Sequence, residues 1–143
     1  IVMGYDEHFA GGAAGSVASL SYVENGITDT LEEVPKEKLI NSVPLYTRVW
    51  TEKDGKTISK AYGITAAQNW VEENNVELTW QDNIGQYYGE IENENGTQKI
   101  WMEETKSLGL KKDLVNKYDL AGIACWKLGF ETADIWAVIN DVK

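Results

Sequence analysis

Ile1-Val2-Met3-Gly4-Tyr5 and Leu39-Ile40-Asn41-Ser42-Val43-Pro44-Leu45-Tyr46 are the two stretches that decide the fold. Each is a short, mostly apolar run closed by polar residues, the pattern of a buried strand. Pro44 predicts a strand end or a distorted position, because proline has no N–H to give to a ladder. Between the two runs, Leu20, Val23, Ile27, Leu31 and Val34 recur at spacings of three and four, one face of an amphipathic helix. Gly11, Gly12 and Gly15 make the loop before that helix, with Ser16 as its expected cap, and Pro35 ends it. Strand, helix and strand within about 40 residues form a βαβ unit, which requires a parallel sheet.

The pattern changes from Val49 onward. Thr65 to Asn74 predicts a short helix with Ala67, Trp70 and Val71 on one side. Val76 to Trp80, Gly85 to Glu92 and Thr97 to Met102 read as short strands, the last two joined by the turn Asn93-Glu94-Asn95-Gly96. Trp70, Trp80 and Trp101 are expected to form a small core of their own there. Ser107 to Tyr118 returns to helix, with Leu110, Leu114 and Tyr118 four apart, and Gly122 to Trp126 is a third apolar strand. Thr132 is the expected cap of a last helix carrying Ile135, Val138, Ile139 and Val142. The expectation is one α/β domain over 1–143 with an α+β insertion over 49–104. Three parallel strands leave two open edges, so partner strands are expected from a missing N-terminal part or from another copy of the chain. Because the chain opens in mid-strand, it is read as a piece of a longer protein.

The 143 residues hold 13 Lys and Arg against 23 Asp and Glu, a net charge of −10. That surface repels phosphate, which argues against nucleic acid and anionic membranes as partners. No apolar run approaches the roughly 18 residues of a membrane span. A lone Cys125 allows no internal disulfide or multi-cysteine metal site, and a lone His8 argues against histidine-held zinc. The glycine loop has no Lys before Ser16 and no G-x-G-x-x-G, so no nucleotide site is read there, and no cofactor is expected.

α/β folds bind ligands at the C-terminal ends of parallel strands. That rule selects Tyr5, Asp6, Glu7 and His8, then Tyr46 and Arg48, then Trp126, Lys127 and Glu131. Rings with polar tips, carboxylates and cations suit a polyhydroxylated ligand. Each also has a plainer role: a Tyr-Asp turn, an ion pair for Arg48, core packing for Trp126, a surface contact for His8.

These strand ends resemble the family 18 glycoside hydrolases, the chitinase-like enzymes, most of all the bacterial branch associated with spore-cortex and cell-wall lysis. Val2-Met3-Gly4-Tyr5-Asp6-Glu7-His8 resembles the family's sixth-strand Met-x-Tyr-Asp motif. Leu39 to Arg48 is similar to the seventh, Gly-(Ile/Val)-Pro-Phe-Tyr-x-Arg, with Ser42 in place of its glycine. Leu120 to Gly129 is similar to the eighth, Gly-(Val/Ile)-x-x-Trp-x-Leu-Gly. The resemblance implies strands six to eight of a (β/α)₈ barrel and a substrate of β-1,4-linked N-acetylglucosamine, chitin or peptidoglycan. It implies a secreted bacterial protein of the cell wall or spore.

It also implies that a glutamate protonates the glycosidic oxygen while the substrate's acetamide acts as nucleophile. Tyr5 would hydrogen-bond that acetamide, Asp6 would shape the subsite, Trp126 would form its floor and Arg48 would contact the sugar. Tyr46 and Glu131 complete the expected binding set. The family's Asp-x-x-Asp-x-Asp-x-Glu signature, which carries the acid, is not present between Ile1 and Lys143, so no catalytic residue is assigned. The alternative implied by the family is a glycan-binding module that does not cleave.

Overall fold

The computed structural model describes residues 1–142. Its elements in order are β1 (Val2–Met3), α1 (Leu20–Leu31), a 3₁₀ turn (Lys36–Lys38), β2 (Ile40–Pro44), β3 (Tyr46–Lys53) and β4 (Lys56–Gly63). There follow α2 (Ile64–Glu73), β5 (Leu78–Gln81), β6 (Gln86–Asn93), β7 (Gly96–Met102), α3 (Thr105–Lys117), β8 (Gly122–Trp126) and α4 (Ile135–Ile139). The α/β class expected from the periodicities is the class observed.

β1, β2 and β8 form a parallel sheet with β2 in the middle. Val2 pairs with Asn41, and Ile40 to Pro44 pair in register with Gly122 to Trp126. Side chains alternate across such a strand. Val43 and Leu45 therefore share one face, where Leu108, Ile135 and Ile139 bury them. A second apolar cluster joins Val17, Val23 and Ile27 to Leu114, Val115 and Leu120, fixing α1 against α3. On the opposite face Met3 is 67% exposed and Trp126 is 53% exposed.

Pro44 stands at the end of β2, as its missing N–H requires, and Leu45 bends the chain while its own N–H reaches the Trp126 carbonyl at 2.6 Å. The chain then enters a second, antiparallel sheet in the order β4-β3-β7-β6-β5. The β3–β4 hairpin falls in a stretch that the sequence reading passed over. Its turn, Asp54-Gly55, has φ of 50° and 72°, the positive values of a two-residue hairpin loop. β4 is an edge strand with Lys56, Ile58, Lys60 and Ala61 all exposed, so no buried face marks it.

Other expectations need correction. Ser19, not Ser16, caps α1, its hydroxyl accepting from the Tyr22 N–H at 3.3 Å. Thr132 does not cap α4, which begins after Asp134 and spans five residues. The three expected tryptophans do not make a common core. Trp70 packs on the Val49, Ala67, Ile100 and Met102 cluster, whereas Trp80 pairs with Tyr87 and Trp101 with Tyr88. The fully buried ring is Trp50, whose indole N–H donates to the Gly15 carbonyl at 2.9 Å.

A buried ion pair locks the antiparallel sheet to α3. Lys111 Nζ lies 2.7 Å from Glu103 Oε1, with side-chain exposures of 1% and 0%. Glu103 Oε1 also accepts from Gln86 Nε2 at 2.5 Å, and Oε2 from Ser107 Oγ at 2.7 Å. Burial pushes the Glu103 carboxyl up from its ordinary value, against the pull of Lys111 and the other two donors. Removing one member of such a pair strands the other charge without water, at a cost of about 3–5 kcal/mol. Lys111→Met should therefore lower the unfolding free energy by about that amount. Glu103→Gln added to it should recover part of the loss, as read by urea denaturation.

Candidate functional site

β1, β2 and β8 end on the same side of the parallel sheet, and their ends converge on an open cleft of about 210 Å³. Asp6, Tyr46, Arg48, Ala61, Trp126 and Phe130 line it. A larger concavity of about 270 Å³ lies among hairpin-tip side chains such as Lys53, Asp54 and Lys56, away from the strand ends.

Asp6 adopts φ 64°, a left-handed conformation that Asp tolerates better than most residues. The Tyr46 hydroxyl donates a short hydrogen bond to Asp6 Oδ1. Burial, then the Asp6 hydrogen bond and charge, push the Tyr46 phenol well above its ordinary value, so it remains a neutral donor. The Tyr5 ring meets Tyr46 edge-on, centroids 6.2 Å apart and planes at 73°, which fixes the phenol that reaches Asp6.

Arg48 is the third residue of β3, on the same sheet face as Trp50. Its Nη1 donates to Ser59 Oγ at 3.1 Å, while its buried Nε has no protein partner. Trp126, the last residue of β8, presents a half-exposed ring to the same space. The cleft therefore joins an anion, a neutral phenol, a guanidinium and a flat apolar ring, a set that can hold a sugar by hydroxyl contacts and stacking.

Five of the expected residues meet here: Tyr5, Asp6, Tyr46, Arg48 and Trp126. Glu131 does something different. Its carboxylate accepts the Gly129 N–H at 2.7 Å, closing the turn after β8. Glu7 and His8 hold the β1–α1 loop: Glu7 accepts from Ser19 N and Oγ, and His8 Nδ1 donates to the Ser16 carbonyl. Ala61 and Phe130 were not expected. Nothing in the sequence marks Ala61 or Phe130 as lining residues; in the structure Phe130 packs so closely on Gly63 that a Cβ there would meet its ring at 3.0 Å.

Three ordered strand ends carrying this cleft invite comparison with known proteins. The family model described as Glycosyl hydrolases family 18 matches residues 1–131. The chain belongs to that family. This family 18 chain is 26% identical over 140 residues to the uncharacterized glycosylase YvbX of Bacillus subtilis (strain 168), covering 97% of the chain and 40% of that protein. It is 26% identical over 144 residues to the cortical fragment-lytic enzyme of the same organism, covering 99% of the chain and 33% of the enzyme. The chain thus spans about a third to two fifths of these curated relatives. The crystal structure of a chitinase from Chromobacterium violaceum ATCC 12472 superposes with a TM-score of 0.89 at 24% identity, over 96% of the chain and 43% of the chitinase. At that identity the likeness establishes the shared α/β fold.

Cys125 stands beside Trp126 and reports on the site without taking part in it. Burial first, then the Glu131 charge, push its thiol up to about 11. Thiolate is the reactive form, so the shift leaves about 100-fold less of it at pH 8 than in a free cysteine. Alkylation by iodoacetamide should be correspondingly slow and should rise only near pH 11. Glu131→Gln should bring that rise to lower pH.

Proposed function

We propose that the chain supplies strands six to eight of a (β/α)₈ barrel, residues 49–104 being an insertion between the last two. The barrel's substrate is a β-1,4-linked N-acetylglucosamine glycan, chitin or peptidoglycan. In this reading the Asp6–Trp126 cleft is one wall and the floor of the subsite for the sugar whose bond is cut. Trp126 lies under the pyranose, the Tyr5–Tyr46–Asp6 group faces the acetamide, and the Arg48 guanidinium contacts the sugar. Hydrolysis is retaining and substrate-assisted, with the acetamide as nucleophile. The proton for the leaving oxygen comes from a glutamate on a strand not contained in residues 1–143. Proton donation of this kind contributes roughly 10²–10⁴-fold, so these residues alone hydrolyse nothing at a useful rate.

The observation that carries the proposal is the short Tyr46–Asp6 hydrogen bond set opposite a half-exposed Trp126 in a single cleft. The relatives support the substrate class, since they are a glycosylase and a cortical fragment-lytic enzyme, and they support a place at the cell wall or spore. The partners expected are the glycan and the strands that complete the barrel.

Titration with chitotetraose, followed by tryptophan fluorescence, tests the reading. The chain should bind it, and Trp126→Ala should weaken binding about tenfold or more, a loss of roughly 1.4 kcal/mol. Unchanged binding by Trp126→Ala would sink the proposal. In the full reading frame, an Asp-x-Asp-x-Glu strand upstream with turnover of the tetramer supports the hydrolase. Binding without turnover by that full protein would instead favour a glycan-binding module.

A further inference from the structure

Asp6 is held by more than Tyr46. A residue at φ 64° stays there only if the chain on either side is fixed. The residues that follow Asp6 are tied to the far end of their own loop. The Glu7 N–H reaches the Val17 carbonyl at 3.0 Å, the Glu7 carboxylate accepts from Ser19 N at 2.7 Å, and His8 Nδ1 donates to the Ser16 carbonyl at 2.8 Å.

That far end is itself fastened to the antiparallel sheet. Ser16 Oγ donates to Gln86 Oε1 at 2.5 Å while accepting from Ala18 N at 3.0 Å. Gln86 Nε2 donates to Glu103, which Lys111 and Ser107 hold. Ser16 is 4% exposed, and Gln86, Glu103, Ser107 and Lys111 are 0% exposed. All the donors run one way, toward the Glu103 carboxylate. Two further contacts, Trp50 Nε1 to Gly15 O and Leu20 N to Ile84 O, fasten the same loop on either side of Ser16.

A buried polar chain of this kind adds little net stability over apolar packing of the same volume. What it adds is a fixed geometry. We propose that Ser16 and Gln86 are positioning residues, which act through the β1–α1 loop to hold Asp6 in its ligand-contacting place. The proposal rests on the reading of the Asp6–Trp126 cleft as a glycan subsite. It places the origin of that geometry in the core between β7 and α3, away from the sugar.

The test is a double-mutant cycle on chitotetraose affinity. Ser16→Ala should weaken binding about three- to tenfold, and Ser16→Thr, which keeps the hydroxyl, should restore it. In an Asp6→Asn background Ser16→Ala should cause no further loss. Leu78→Ala, a truncation in β5 against the Val49, Ala67, Ile100 and Met102 cluster, which holds no cleft or loop residue, should lower the melting temperature and leave affinity unchanged. If Ser16→Ala does not fold, Gln86→Met cuts the same link from the other side; failure of both to fold overturns positioning in favour of plain structural support. Wild-type affinity in Ser16→Ala, or losses that add to those of Asp6→Asn, also overturns it while the subsite reading stands. If Asp6→Asn and Trp126→Ala bind as wild type, the subsite reading fails and this inference with it.

Discussion

The Glu103–Lys111 ion pair is the constraint on which the arrangement of the two sheets depends. Glu103 follows β7, Lys111 is on α3, and Gln86 begins β6, so one carboxylate gathers three elements. An ammonium and a carboxylate without water tolerate no slack, since separating them leaves each uncompensated in a poorly polarisable interior. Apolar contacts would bring the same elements together, but they would allow small slides of sheet on helix. The ionic cluster removes that freedom where the antiparallel sheet meets the β1–α1 loop.

The site depends on this because β2 and β3 are separated by a single bent residue, Leu45. Everything that orients β3 orients Tyr46 and Arg48, while β1 and β8 place Asp6 and Trp126 from the parallel sheet. The cleft is thus shared between a parallel and an antiparallel sheet. Its chemistry is simple, but the placing of its groups is not local to it.

Much of this was legible in the sequence. The apolar runs of Ile1–Tyr5 and Gly122–Trp126 and the three-and-four spacing from Leu20 locate two strands and a helix, although α1 ends at Leu31 and the two outer strands of the parallel sheet have no fully buried residue. The strand-end rule selects Tyr5, Asp6, Tyr46, Arg48 and Trp126 by their place in the chain, and the structure gathers them around one cleft. The β3–β4 hairpin was missed because β4 is an edge strand whose solvent side is lysine-rich, although Asp54-Gly55 announced the turn. Lys111 was invisible as a core residue, because a lysine on an otherwise apolar helix face reads as a boundary position until its carboxylate partner is found. The strand-end rule gives Glu131 proximity to the cleft but not the direction of its carboxylate, which accepts the Gly129 N–H. The Ser16 cap failed on a close competitor: Ser19 has the same chemistry three residues later, and Ser16 is drawn away by Gln86.

The pairing register of the central strand also has a temporal meaning. β6 and β7 meet across a two-residue turn, and β3 and β4 likewise, so these two hairpins form between neighbours in the chain, while β3 must reach β7 about 50 residues on. Ile40 must instead find Gly122, about 80 residues away, and contacts of that separation are slow to form. During synthesis β8 leaves the ribosome after the other seven strands among the described residues. Until it arrives, the edge of β2 that it will cover is bare, and the ring that floors the cleft is not yet in the molecule.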